Sequence, residues 1–152
     1  MRRHTGLLAA ALLAAACAGC GAPKDPVQAL LDDVTSAAED KNADRTVARL
    51  SERFQGTGGM GRAEARVTLQ RYFAAYESVD LTVYDVQAEG HERVRLRVDF
   101  SGRPRQVGGL AGLLPSTAIY RFELELATEG GRLVVLRASW EPWTPQDPSA
   151  SR

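Results

Sequence analysis

At Asp80 the hydrophobic pattern of this chain changes period. Before it, apolar side chains recur at helical spacing; after it, they alternate with polar ones, as they do along a half-buried strand. A chain with helices first and strands second buries its apolar surface best with the helices gathered on one face of an antiparallel sheet, an α+β arrangement. The sequence has 152 residues, 44% of them hydrophobic and 25% charged. That is enough for one globular domain, and it excludes a disordered tail, a collagen-like repeat or a multi-domain enzyme.

Asp25-Pro26 is a helix start: an aspartate cap, then proline at the first helical position. Val27, Leu30, Leu31, Val34, Ala37 and Ala38 then follow at helical spacing. A second, shorter helix is expected from about Asn42–Asp44, carrying Val47, Leu50 and Phe54 on one face up to the glycine-rich stretch Gly56–Gly61. A third is expected from about Arg62 to Tyr76, with Ala65, Leu69, Tyr72, Phe73 and Tyr76 as its apolar stripe. Strands are then expected over Leu81–Ala88, Arg93–Phe100, Ala118–Thr128 and Leu133–Glu141, with turn signals at Glu89-Gly90 and Glu129-Gly130-Gly131.

The N-terminus has the charge, apolar core and small-residue order of an export signal: Arg2 and Arg3, then Gly6–Ala16, then two cysteines among small residues. The apolar run is too short to cross a bilayer, which takes about 20 residues. A cysteine after small residues resembles the lipobox of bacterial lipoproteins, in which that cysteine is diacylated and becomes the mature N-terminus. Ala18-Gly19-Cys20 favours Cys20, with Cys17 as the alternative. The chain thus divides into a lipoprotein signal at 1–19, a tether at 20–25, a domain at 26–143 and a Pro- and Ser-rich tail at 144–152, expected to be disordered. Neither cysteine is followed by aspartate, which by resemblance to enterobacterial sorting points to the periplasmic face of the outer membrane. Cys17 and Cys20 are the only cysteines, so no disulfide framework or cysteine-based metal site is expected in the domain.

Charge narrows the partners. Lys+Arg and Asp+Glu balance at 19 each, where a nucleic-acid binder normally shows a basic excess, so no nucleic-acid partner is expected. Loss of Arg2 and Arg3 with the signal leaves the mature chain at about −2 by formal charge. The ladder Arg93, Arg95, Arg97 is the sharpest charge feature, suited to an anionic ligand, headgroups or an interface. Its plainer reading is outward arginines pairing across strands with Glu123 and Glu125.

Reactive groups are few. His4 leaves with the signal, His91 reads as a solvated turn residue, and Asp85 and Asp99 read as solvent-facing or arginine-paired, so no catalytic residue is assigned. Gly56–Gly61 lacks the Gly-Lys-Ser/Thr of a phosphate loop, Asp32-Asp33 and Glu39-Asp40 read as solvated helix faces, and neither a metal nor a cofactor is expected. Tyr72, Tyr76, Trp140 and Trp143 are the candidate pocket residues for an apolar ligand, with Trp143 the best placed for a pocket or interface. The apolar, glycine-rich connection Gly108–Pro115 could be a lid, a partner patch or a plug completing the core.

Helix Pro26–Ala38, the short segment ending at Phe54, Tyr72-Phe73-Ala74-Ala75-Tyr76, the long strands around Gly130-Gly131 and the closing Trp140 and Trp143 together resemble the nuclear transport factor 2-like superfamily, also called SnoaL-like or cystatin-like. The resemblance spans the mature chain. It implies a cone in which a curved antiparallel sheet wraps N-terminal helices, in relatives that include isomerases, dehydratases and cyclases. The expectation is a membrane-anchored envelope lipoprotein acting as a non-catalytic binding or interaction module, with an envelope protein or an apolar small ligand as partner. The alternatives are a small-molecule isomerase, dehydratase or cyclase using the cone, and a structural homodimer.

Overall fold

The computed structural model describes residues 23–106 and 112–144. The expected signal at 1–19 with Cys17, the first half of the expected tether (20–22, with Cys20), residues 107–111 of the glycine-rich connection and the tail beyond residue 144 lie outside the described residues.

Helix α1, Pro26–Glu39, starts where its capping chemistry places it. Asp25 Oδ1 accepts from the backbone N–H groups of Val27 (2.9 Å) and Gln28 (3.1 Å), satisfying donors that the first turn leaves free. The helix buries Val27, Leu30, Leu31, Ala37 and Ala38. It ends at Asp40 and Lys41, and Lys41 takes a positive φ of 52° to turn the chain. Asn42 then caps helix α2, Ala43–Val47, by accepting from the Arg45 N–H at 2.9 Å. Asp33 ties the helices together: it holds Arg49 at 2.5 Å and Arg45 at 3.3 Å, and the Arg49 hydrogen bond keeps its carboxyl below the ordinary aspartate value.

The first departure from the sequence pattern follows immediately. Leu50 and Phe54 do not continue a helix; they belong to strand β1, Leu50–Gln55, which lies parallel to the last strand of the sheet. Their spacing from Val47 fits a helix, but pairing with a distant strand overrides a short local pattern. Ser51, fully buried, has its hydroxyl donating to Glu129 Oε1 at 2.6 Å and accepting from the Arg53 N–H at 3.0 Å.

Helix α3 spans Arg62–Ala75, and the chain passes directly into strand β2, Tyr76–Glu89. Tyr76 therefore opens a strand instead of closing a helix, and that strand starts earlier than its alternation suggests. Strands β3 (Arg93–Pro104), β4 (Thr117–Glu129) and β5 (Arg132–Pro142) complete a curved sheet of order β1-β5-β4-β3-β2. Pairing is antiparallel throughout except between β1 and β5, so the sheet is mixed where a wholly antiparallel one was expected. Positive-φ glycines at Gly130 and Gly131 make the β4–β5 turn, as their sequence signal indicates.

The core lies between α1 and one face of the sheet. Val27, Leu30 and Leu31 pack with Phe54, Ala65, Val94, Leu96, Val98, Leu126 and Val135. At the far end of α1 a second cluster joins Tyr76, Val79 and Phe100, with Leu114, Ala118 and Tyr120 packed against it. Leu114 and Pro115 thus close this end of the core, so the described part of the glycine-rich connection acts as a plug, while Leu113 beside them stays 78% exposed.

Candidate functional site

Two arrangements on opposite faces of the sheet merit chemical scrutiny. On the helix-covered face, aromatic side chains collect at the end of the core closed by Leu114. Tyr76 is 0% exposed, its hydroxyl donates to the Pro115 carbonyl at 2.9 Å, and its ring meets Phe100 edge-on at 5.3 Å. Tyr72, 48% exposed, stacks on Tyr76 with centroids 6.2 Å apart. Tyr120, Phe122 and Trp140 continue the row along the strands, at 6.5 Å and 6.0 Å between successive rings. Trp140 is half-buried, and its backbone N–H donates to Thr57 Oγ1 at 3.3 Å. Offset and edge-on rings at these separations add to their area burial.

The tyrosines are also electrically aware of one another. Burial pushes the Tyr76 phenol above its ordinary value, and Tyr72 and Tyr120 add to the shift; burial and Tyr72 do the same to Tyr120. The Tyr76 and Tyr120 phenols therefore stay neutral in the physiological range; the Tyr76 hydroxyl is taken up by Pro115, while those of Tyr72 and Tyr120 edge an apolar surface. Gly102 makes this packing possible: a Cβ there would lie 2.7 Å from a Phe100 ring carbon and 2.8 Å from one of Tyr76.

On the outer face the arginine ladder is arranged differently from its cross-strand register. Arg93 and Arg95 lie opposite Glu125 and Glu123, but Arg95 bonds Glu89 of its own hairpin at 2.9 Å, and Glu125 lies nearest Arg137 at 3.7 Å. Arg97, opposite Arg121, is paired with Asp85, and its guanidinium sits between the rings of Tyr84 (5.0 Å) and Trp143 (4.7 Å). Asp85 reaches it from a left-handed backbone conformation, φ 53°, within an irregularity of the β2–β3 register. Trp143 is held besides by its N–H donating to the Ile119 carbonyl at 2.8 Å.

The four candidate pocket residues therefore divide. Tyr72, Tyr76 and Trp140 belong to the inner aromatic row, whereas Trp143 lies across the sheet as the outer wall of the Arg97 stack. Sequence reasoning missed Tyr84 and Gly102; for Asp85 its arginine-paired alternative holds, with Arg97 as the arginine. The alternation of β3 marks Arg97 as outward, but only register identifies its neighbours.

Among the described residues, the buried polar side chains are Thr46 and Ser51, both hydrogen-bonded within the fold. Asp99 is exposed, and His91, in the β2–β3 turn, stands 4.0 Å from Asp25 at the start of α1. No group of three His, Cys, Asp or Glu side chains among the described residues is placed to hold a metal ion. Two open depressions are lined by residues other than the aromatic row. One of about 490 Å³ is lined by Asp40, Lys41, Asn42, Asp44, Gln70 and Phe73, and one of about 220 Å³ lies between β1 and β5.

No family model and no curated protein matches the chain. Solved structures do. A protein from Novosphingobium aromaticivorans provisionally described as a scytalone dehydratase aligns with a TM-score of 0.61 at 10% identity, over 78% of this chain and 83% of its own. A ketosteroid isomerase-like protein from Erwinia carotovora atroseptica gives 0.57 at 13% identity, over 79% and 95%. A protein of unknown function with a cystatin-like fold from Nostoc punctiforme gives 0.56 at 12% identity, over 82% and 92%. The fold is nuclear transport factor 2-like; identities this low speak to architecture alone.

Proposed function

We propose that this chain is a lipid-anchored protein of the bacterial cell envelope whose domain acts as a non-catalytic binding module. The observation that carries the reading is the filling of the sheet's inner face. Aliphatic side chains of α1, β3, β4 and β5 occupy it, the titratable groups packed at its far end are tyrosines, and no carboxylate or imidazole among the described residues is buried. A general base needs hydrogen-bond reach to a substrate proton and a pKa near the working pH, and phenols raised by burial do not meet the second condition. The half-exposed row Tyr72, Tyr120, Phe122 and Trp140 instead offers flat apolar surface edged with hydroxyl donors. Such a surface suits an apolar or aromatic group of a small ligand or of an envelope protein. The signal-like N-terminus and the lipobox-like Ala18-Gly19-Cys20 support anchoring at Cys20, with Cys17 as the alternative, and the outer membrane as the address.

A second reading, an isomerase, dehydratase or cyclase using the same end, rests on the names carried by two structural neighbours and on the Tyr72–Tyr76–Tyr120 group. One titration separates the two. The fluorescence of an anilinonaphthalene sulfonate probe is expected to rise on binding to the wild-type domain, and Tyr72→Ala is expected to weaken that binding several-fold. Absence of binding, or turnover of an apolar ketone or alcohol that Tyr120→Phe abolishes, defeats the binding-module reading.

A further inference from the structure

The tether and the aromatic row lie at opposite ends of α1. The chain enters the domain at Asp25, beside the β2–β3 turn, where His91 stands 4.0 Å away, and Lys24 pairs with Asp32 on the first turns of the helix. The β4–β5 turn belongs to the same end, because Arg93 faces Glu125 and the Leu126 N–H donates to the Glu92 carbonyl at 2.7 Å. At the other end, just past the last turn of α1, Lys41 Nζ donates to the carbonyls of Tyr76 (3.1 Å) and Glu77 (2.8 Å). The 14 residues of α1 separate the two ends by about 20 Å.

That distance matters because the tether is short. Residues 20–24 span at most about 17 Å even fully extended. On the two long sides of the domain most of the described arginines are already held in ion pairs, which leaves little attraction to lay it flat. On the outer face of the sheet Arg95, Arg97, Arg121 and Arg137 each have a carboxylate partner. On the α3 side Arg62 pairs with Glu52 and Arg66 with Asp44. Charges neutralised in this way add little electrostatic pull toward anionic headgroups. Of the large apolar side chains exposed among the described residues, Tyr72 and Leu113 are at the aromatic end, leaving Val67 and Val86 scattered.

We propose that the anchored domain stands end-on, with its β2–β3 and β4–β5 turns toward the bilayer and its aromatic row toward the aqueous compartment. This rests on the lipid-anchor reading and adds the source of the ligand. The row then receives a water-borne apolar solute, and not an acyl chain drawn from the leaflet beneath it.

The test uses lipidated full-length protein carrying Cys17→Ser, bound to vesicles of phosphatidylethanolamine and phosphatidylglycerol with a nitroxide-headgroup lipid. Single labels are placed through Arg132→Cys, Leu113→Cys or Val67→Cys. Fluorescence quenching is expected to be several-fold greater at position 132 than at 113 or 67. Equal or greater quenching at 113 overturns the proposal, and strongest quenching at 67 overturns it in favour of a domain lying on α3. Flotation with the vesicles is read separately. If the protein does not float, the labels are moved to a Cys20→Ser background, which retains the other candidate cysteine. If neither background floats, the anchor reading fails and takes the orientation with it.

Discussion

Strand β3 carries two residue sets one position out of phase. Val94, Leu96, Val98 and Phe100 face α1 and are buried, while Arg93, Arg95, Arg97 and Asp99 face outward. The inner set acts collectively: each side chain contributes by the area it removes from water, on the order of 25 cal/mol per Å², and by fitting neighbours from four or more elements. The outer set acts singly, and its members are unequal. Arg95 is an exposed ion-pair partner of one glutamate, whereas Arg97 is enclosed by two rings and a carboxylate drawn from two separate segments, β2 and the chain just past β5. Outward charge on a strand thus has no single value; what surrounds the charge decides whether it matters.

The largest expected effect falls on the inner side. Leu30, 1% exposed, touches the middle of the core, and Leu30→Ala is expected to cost about 3 kcal/mol and lower Tm by roughly 10 °C in thermal unfolding. A loss as small as that of an outward arginine breaks the contrast between the faces. Gly102→Ala sharpens the inner side further, because it adds a methyl where ring carbons of Phe100 and Tyr76 already stand too close. It is expected to cost about 2 kcal/mol in denaturant unfolding and to loosen the Leu114–Pro115 closure, read as faster proteolysis after residue 112. On the outer side, Arg97→Ala is expected to cost about 1 kcal/mol, and Arg95→Ala only a few tenths, in the same measurement. Equal losses for the two arginines mean that the ring stack contributes nothing beyond an exposed ion pair.

How much of this was legible depends on the range of the interaction. Helix α1 was readable from Asp25-Pro26 and its spacing because capping and amphipathicity are local. The alternation of β3 and β4 gave their inward faces for the same reason. Leu50–Gln55 was misread because six residues after a helix carry no period of their own, and the partner that makes them a strand lies at Val135 and Arg137. The inner aromatic row was half visible, with Tyr72, Tyr76 and Trp140 named but Trp143 grouped with them. Its true neighbour, Arg97, is set by the registers of β3 with β4 and of β4 with β5, and the Tyr84 and Asp85 contacts by the β2–β3 register with its irregularity between Tyr84 and Gln87; neither leaves a mark in composition.

The parallel pairing of β1 with β5 has a consequence for the order in which the molecule is assembled. It joins a strand near the start of the domain to one near its end, so that sheet edge cannot form until almost the entire chain is available. Closing so long a loop costs entropy before the contact returns anything, which slows folding relative to a helical bundle of similar size. A nascent or threading chain can form α1 and the hairpins, but the core stays open along β1 until β5 arrives. Under the proposed export to the envelope, that delay keeps the chain unfolded for longer, and an unfolded chain is the one that can be passed through a narrow translocation channel.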